Sequence, residues 1–154
     1  MIIISAMTRD HVIGNEAGDA MPWNVPEEFS KFLEFVDGQA VIMGRKSFEI
    51  FKGDMNNSTL FIVSRSNVTY PNAVVCSSLE EAAERASATG KVVYIAGGGT
   101  IYKQALPIVE KMYLSYIKGE FTGSTYFPEF DPDAWTVTKR EDHARFEFVV
   151  YERS

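Results

Sequence analysis

The chain has 154 residues, of which 45% are hydrophobic, with a net charge of −6 and one cysteine. That length and apolar content suit a folded domain with a real core and exclude a disordered chain. The lone Cys76 excludes an internal disulfide, and His11 and His143 show no metal-ligand spacing. The acidic balance, with no basic run, argues against nucleic-acid and acidic-membrane partners.

One domain over residues 1–154 is expected. No apolar run approaches the roughly 18–20 residues of a membrane-spanning helix. Met1-Ile2-Ile3-Ile4 carries no basic leader, and with one cysteine a cytoplasmic, reducing location is the expectation.

In chain order, Ile2–Ala6 is short, continuous and β-branched, as a strand covered on both faces should be. Thr8–Trp23 reads as a long loop with Gly14, Gly18 and Pro22 in it; loops of that length in compact domains are often functional. Pro22 and Pro26 disfavour helical geometry at Met21 and Val25, so a helix is expected to start near Pro26. Phe29, Phe32, Leu33 and Val36 then form one apolar stripe facing a core, and Asp37-Gly38 ends the helix. Glu28 lies at the edge of that stripe, where two readings are open. It is either a first-turn acid favoured by the helix dipole, like Glu27, or a half-buried carboxyl whose pKa is raised into the range useful for proton transfer.

Further strands are expected at Val41–Met43, Leu60–Val63, Ala73–Cys76, Val92–Ala96 and Met112–Ile117. An antiparallel pair is expected from Trp135–Thr138 and Phe146–Tyr151. Helices are expected after Gly44 through Phe51, from the capping-box spacing of Ser78 and Glu81 to Gly90, and from Gly97-Gly98-Gly99 through Leu106. Strands alternating with helices predict an α/β fold of three layers, with a mostly parallel sheet closed by an antiparallel edge. Ligands in such sheets bind beyond the carboxyl ends of the strands. Three of those exits suit a phosphorylated ligand: Gly44-Arg45-Lys46-Ser47, Ser64-Arg65-Ser66 and Gly97-Gly98-Gly99-Thr100. Each alone reads equally well as a turn or a solvated loop; three at one sheet edge favour a phosphate-bearing ligand.

With those residues laid out, the chain resembles dihydrofolate reductase along nearly its whole length. The match rests on Val12-Ile13-Gly14 with the loop into Met21-Pro22-Trp23-Asn24, on Val41 to Glu49, on Ile62 to Ser66, and on Ile95 to Tyr102, with Thr125-Tyr126-Phe127-Pro128 in its usual place. The resemblance implies an eight-stranded sheet flanked by four helices and NADPH-dependent reduction of dihydrofolate to tetrahydrofolate. It further implies that Glu28 binds the pterin, supported by Ser115, that Trp23 holds a water and that Met21 lies in a mobile loop. Ser5, Ala6, Phe32, Phe51 and Met55 would contact the substrate. Ile13, Gly14, Gly44, Arg45, Lys46, Ser47, Ser64, Arg65, Ser66, Ala96, Gly97, Gly98, Gly99, Thr100 and Ile101 would hold NADPH, with a cis peptide at Gly97-Gly98 or Gly98-Gly99. A monomer without a metal is expected.

The chain departs from the pattern where the family places an arginine for the glutamate tail of folate: Ser58 stands there. The expectation is weak folate binding or a substitute cation, Lys31 or Lys52. Ser124 likewise stands where many members carry an aspartate. These departures keep two alternatives open: the NADPH-dependent pyrimidine reductase of riboflavin synthesis, and an NADPH-binding module that has lost reduction.

Overall fold

The computed structural model describes residues 1–14, 21–51 and 53–154. Its strands are β1 (Ile2–Thr8), β2 (Val12–Gly14), β3 (Ala40–Gly44), β4 (Thr59–Val63), β5 (Ala73–Cys76), β6 (Val93–Ile95), β7 (Lys111–Ile117), β8 (Thr125–Tyr126), β9 (Trp135–Asp142) and β10 (Phe146–Arg153). Its helices are α1 (Pro26–Val36), α2 (Arg45–Phe51), α3 (Leu79–Ser87) and α4 (Gly99–Ala105), with a 3₁₀ turn at Pro132–Ala134. Eight strands form one sheet in the order β5-β4-β3-β6-β1-β7-β10-β9. Pairing is parallel from β5 to β7, and β10 runs antiparallel to both β7 and β9. The expected fold class is the one observed.

Alternation along apolar strands builds the three layers. Ile3, Ile42, Phe61 and Ile95 face one side, where Leu79, Ala82 and Ala86 of α3 and Ile101, Tyr102 and Ala105 of α4 cover them. Ile2, Ile4, Val41, Met43, Leu60 and Ile62 face the other, against Val36 of α1 and Phe48 of α2.

Local signals explain the element ends. Pro26 occupies the first turn of α1 without a side-chain cap, and Gly38 follows its end at φ +74°. At α3, Ser78 Oγ accepts from Glu81 N at 3.1 Å, while the Glu81 carboxylate turns to Ser77 N, one residue before the expected partner.

Two expectations need correction. The Thr8–Trp23 segment is not loop throughout: Val12–Gly14 pairs with Thr125–Tyr126 as a two-stranded ribbon. The apolar stripe of α1 does not face a core along its length either. Val36 is buried, but Phe29 and Phe32 are half-buried and border a cleft. Gly18 lies outside the described residues.

Candidate active site

A cleft of about 1540 Å³ opens at the carboxyl ends of β1, β3, β4 and β6. It exceeds the roughly 300–1,000 Å³ typical of a single small-ligand pocket.

All three strand exits singled out in the sequence line it. Arg45, Lys46 and Ser47 open α2 after Gly44; Ser64, Arg65 and Ser66 follow β4; Gly97 to Ile101 lead into α4, with Ala96 before them and Ile13 and Gly14 opposite. Gly97 has φ +116°, and a Cβ there would lie 3.1 Å from Ser47 Oγ and 3.3 Å from Tyr102 Oη, so the site requires glycine. The Gly97-Gly98 peptide is cis, at the first of the two expected positions.

The other end of the cleft is lined by Ser5, Ala6, Met21, Trp23, Glu28, Phe29, Phe32, Ile50 and Phe51. Glu28 is only 8% exposed, and burial raises its pKa from 4.5 to about 7, partly offset by a hydrogen bond from Ser115. Ser115 lies on β7 directly opposite Ala6 of β1, behind the cleft wall. Of the two readings of Glu28, the buried one is therefore observed. Glu27 takes the exposed role: Arg145 Nη2 donates to Glu27 Oε2 at 2.6 Å, and that guanidinium holds the carboxyl below its usual range. Trp23 packs edge-on to Phe121 with centroids 5.9 Å apart, fixing the start of the wall.

Some expected residues lie elsewhere. Met55 is 3% exposed and packs with Phe32, Leu33 and Phe51 from behind, so it supports the wall instead of lining it. Ser58 Oγ donates to Val36 O at 2.7 Å, at the end of α1, and its hydroxyl is used there. Lys31 is not a substitute cation for the cleft. Its Nζ donates to Glu141 Oε1 at 3.0 Å and sits 4.5 Å from the Phe148 ring centre, on the side of α1 facing β9 and β10. Lys52 lies outside the described residues.

Sequence reasoning missed Phe29 and Tyr102 as cleft residues. Phe29 reads as core from its helical spacing. Tyr102 is buried in α4, and its Oη donates to Ile4 O at 2.7 Å, two residues before Ala6; burial pushes its pKa upward. The resemblance put Thr100 and Ile101 of this helix on the cofactor, but no signal in the sequence singled out Tyr102.

Parallel strands with glycine-lined exits, cations around one part of a cleft and a buried carboxyl in another define a nucleotide-dependent α/β enzyme. The family model for dihydrofolate reductase matches residues 1–153, and the chain belongs to that family. It is similar to the dihydrofolate reductase of Bacillus subtilis, with 28% identity over 97% of this chain and 92% of the relative. It is also similar to that of Haemophilus influenzae, with 33% identity over 88% of this chain and 82% of the relative. Among solved structures, dihydrofolate reductase from Enterococcus faecalis complexed with NADP(H) and RAB-propyl superposes with a TM-score of 0.88. That match has 26% identity and covers 99% of this chain and 95% of the other.

Proposed function

We propose that the chain catalyses reduction of 7,8-dihydrofolate to 5,6,7,8-tetrahydrofolate with NADPH, supplying one-carbon metabolism and thymidylate synthesis. We read it as a single-domain monomer acting in the cytoplasm, without nucleic-acid or membrane partners; among the described residues no helix is long and apolar enough to cross a membrane. The observation that carries the reading is Glu28, a buried carboxyl with a pKa of about 7, facing the same cleft as three strand exits rich in glycine, hydroxyl or cationic residues.

The residues present fit a phosphorylated dinucleotide. Arg45, Lys46 and Arg65 offer charge, Ser47, Ser64 and Ser66 offer hydroxyls, and the Gly97 to Gly99 turn presents backbone to the cleft with no side chain over it. Gly44, Ile13, Gly14, Ala96, Thr100 and Ile101 complete that wall. When bound, NADPH supplies the hydride.

The protein's own work is to bind, orient and protonate. In its ionised form Glu28 accepts hydrogen bonds from the amidine edge of the pterin, and with a pKa of about 7 it favours, electrostatically or through water, the passage of a solvent proton to the weakly basic ring nitrogen beside the carbon that receives the hydride. Ser115 acts through Glu28, holding the carboxyl in place. Ser5, Ala6, Phe32 and Phe51 flank the pterin and its neighbouring ring, while Met21 and Trp23 shield that end of the cleft from bulk water, Trp23 being the residue assigned to an ordered water. Met55 stands behind this wall.

The fall in NADPH absorbance on adding dihydrofolate to the purified protein tests the proposal. Saturable turnover with preference for NADPH over NADH is expected. Tight NADPH binding without turnover would contradict it and favour a binding module.

A further inference from the structure

Two faces of α1 meet different parts of the molecule. Glu28 and Phe32, four residues apart, line the cleft. Glu27 and Lys31, set about 100° around the helix from them, meet the β9–β10 hairpin instead. Arg145, in the turn of that hairpin, holds Glu27 with both sides of its guanidinium fork. Its Nε donates to Glu27 Oε1 and its Nη2 to Oε2 at 2.6 Å, while Nη1 reaches Asn24 O at 3.4 Å. One helical turn further on, Lys31 Nζ donates to Glu141 Oε1 at 3.0 Å.

The turn that carries Arg145 is itself well held. Lys118, just after β7, donates its backbone N–H to Arg145 O at 2.9 Å. Its Nζ donates to Asp142 Oδ1 at 2.7 Å and to His143 O at 2.6 Å. Phe146, the next residue, is buried in one cluster with Trp23, Val25 and Phe148. The start of α1 has less of its own. Val25 provides no side-chain cap, and Pro26 brings no N–H to the first turn. Arg145 therefore spans the junction from loop to helix, touching Asn24 on one side and Glu27 on the other. A single exposed ion pair contributes little to stability, but a bidentate arginine–carboxylate pair fixes geometry. Glu28 lies in the turn so fixed.

We propose that Arg145 is a positioning residue for the reaction: through Glu27 and Asn24 O it holds the first turn of α1 in the rotation that aims Glu28 into the cleft. The Lys31–Glu141 pair holds the following turn, so the first turn is what Arg145 controls. Neither Arg145 nor Glu27 lines the cleft, and both act through the helix. The inference rests on the dihydrofolate reductase reading and adds to it a residue from the opposite side of α1.

Glu27→Gln, Arg145→Gln and the exchange of the pair, Glu27→Arg with Arg145→Glu, test it at saturating NADPH. Both side chains are about half exposed, so these changes leave the core untouched. Each single variant is expected to raise the dihydrofolate KM about fivefold, a part of the tenfold or more that a charge-assisted bond to Glu28 contributes. The two singles change net charge in opposite directions, so a rise in both comes from the lost grip and not from charge. The exchange should bring KM back to within about threefold of wild type. NADPH affinity, by fluorescence titration, should move less than about twofold throughout. Loss of folded protein alone would lower the maximal rate and leave KM where it was. An unchanged KM in the single variants, with only the melting temperature lowered, overturns the inference. So do shifts of opposite sign in the two singles, or an exchange no better than either. All three leave the reductase reading standing. No turnover by the wild-type protein, with NADPH bound, removes that reading and this inference with it.

Discussion

The two ends of the cleft are built in opposite ways. At the end we assign to the cofactor, the residues proposed to bind it are consecutive at strand exits: Gly44 to Ser47, Ser64 to Ser66 and Gly97 to Thr100 each line the cleft as a local unit. At the end we assign to the pterin, each group comes from a different element. Glu28 is on α1, Ser115 on β7, Tyr102 on α4 and Phe51 on α2, and the property that matters, a carboxyl titrating near neutrality, belongs to none of them alone. Loops can bind phosphate by composition, whereas a shifted pKa requires a folded interior.

Substitutions that separate the two ends sharpen this contrast. Glu28→Gln should have the largest effect, lowering kcat by about 10²–10⁴-fold, the span of general acid–base catalysis, with NADPH affinity unchanged. Because Gln cannot carry the proton, the deficit should grow with pH; a pH–rate profile parallel to wild type would contradict the role given to Glu28. The same variant tests stability. The folded carboxyl holds its proton more tightly than the unfolded one, 4.5 becoming about 7, so folding takes up a proton between those values. Wild type should therefore lose stability relative to Glu28→Gln as pH rises through that window, by on the order of 3 kcal/mol at most, and the difference should be flat below it. Urea unfolding at several pH values measures this.

Gly97→Ala should act on the opposite end. Its left-handed φ and the 3.1 Å approach to Ser47 Oγ impose strain, expected at about 1–3 kcal/mol and read as weaker NADPH binding by fluorescence titration. Arg65→Ala should weaken NADPH about tenfold, as loss of a charge-assisted phosphate contact does, without moving the dihydrofolate KM at saturating cofactor. The smallest effect is expected from Ser115→Ala. Its hydrogen bond lowers the Glu28 pKa, so removal should move the pH–rate profile to higher pH, with kcat at neutral pH changing by less than about tenfold.

Sequence made the same division visible. Ile2 to Ile4 and Leu60 to Val63 are short apolar runs rich in β-branched residues, the second bounded by Ser58-Thr59 and Ser64, so these strands could be read directly. β2 and β8 could not, because three residues ending in Gly14 and the two residues Thr125–Tyr126 carry no period and pair only across the fold. Helical spacing put Phe29 on a core face, but spacing cannot distinguish a core from a cleft lined by the same kind of side chain. The fate of Lys31 was equally hidden, since its partner Glu141 lies 110 positions away.

The most direct test is a titration of the Glu28 carboxyl itself, by carbon NMR of protein labelled at glutamate side chains, with Glu28→Gln to assign the signal. One carboxyl titrating at about 7 and missing from the variant is the predicted result. A Glu28 signal that titrates with the ordinary glutamates near 4.5 would contradict the account, because Glu28 would then be fully ionised at neutral pH.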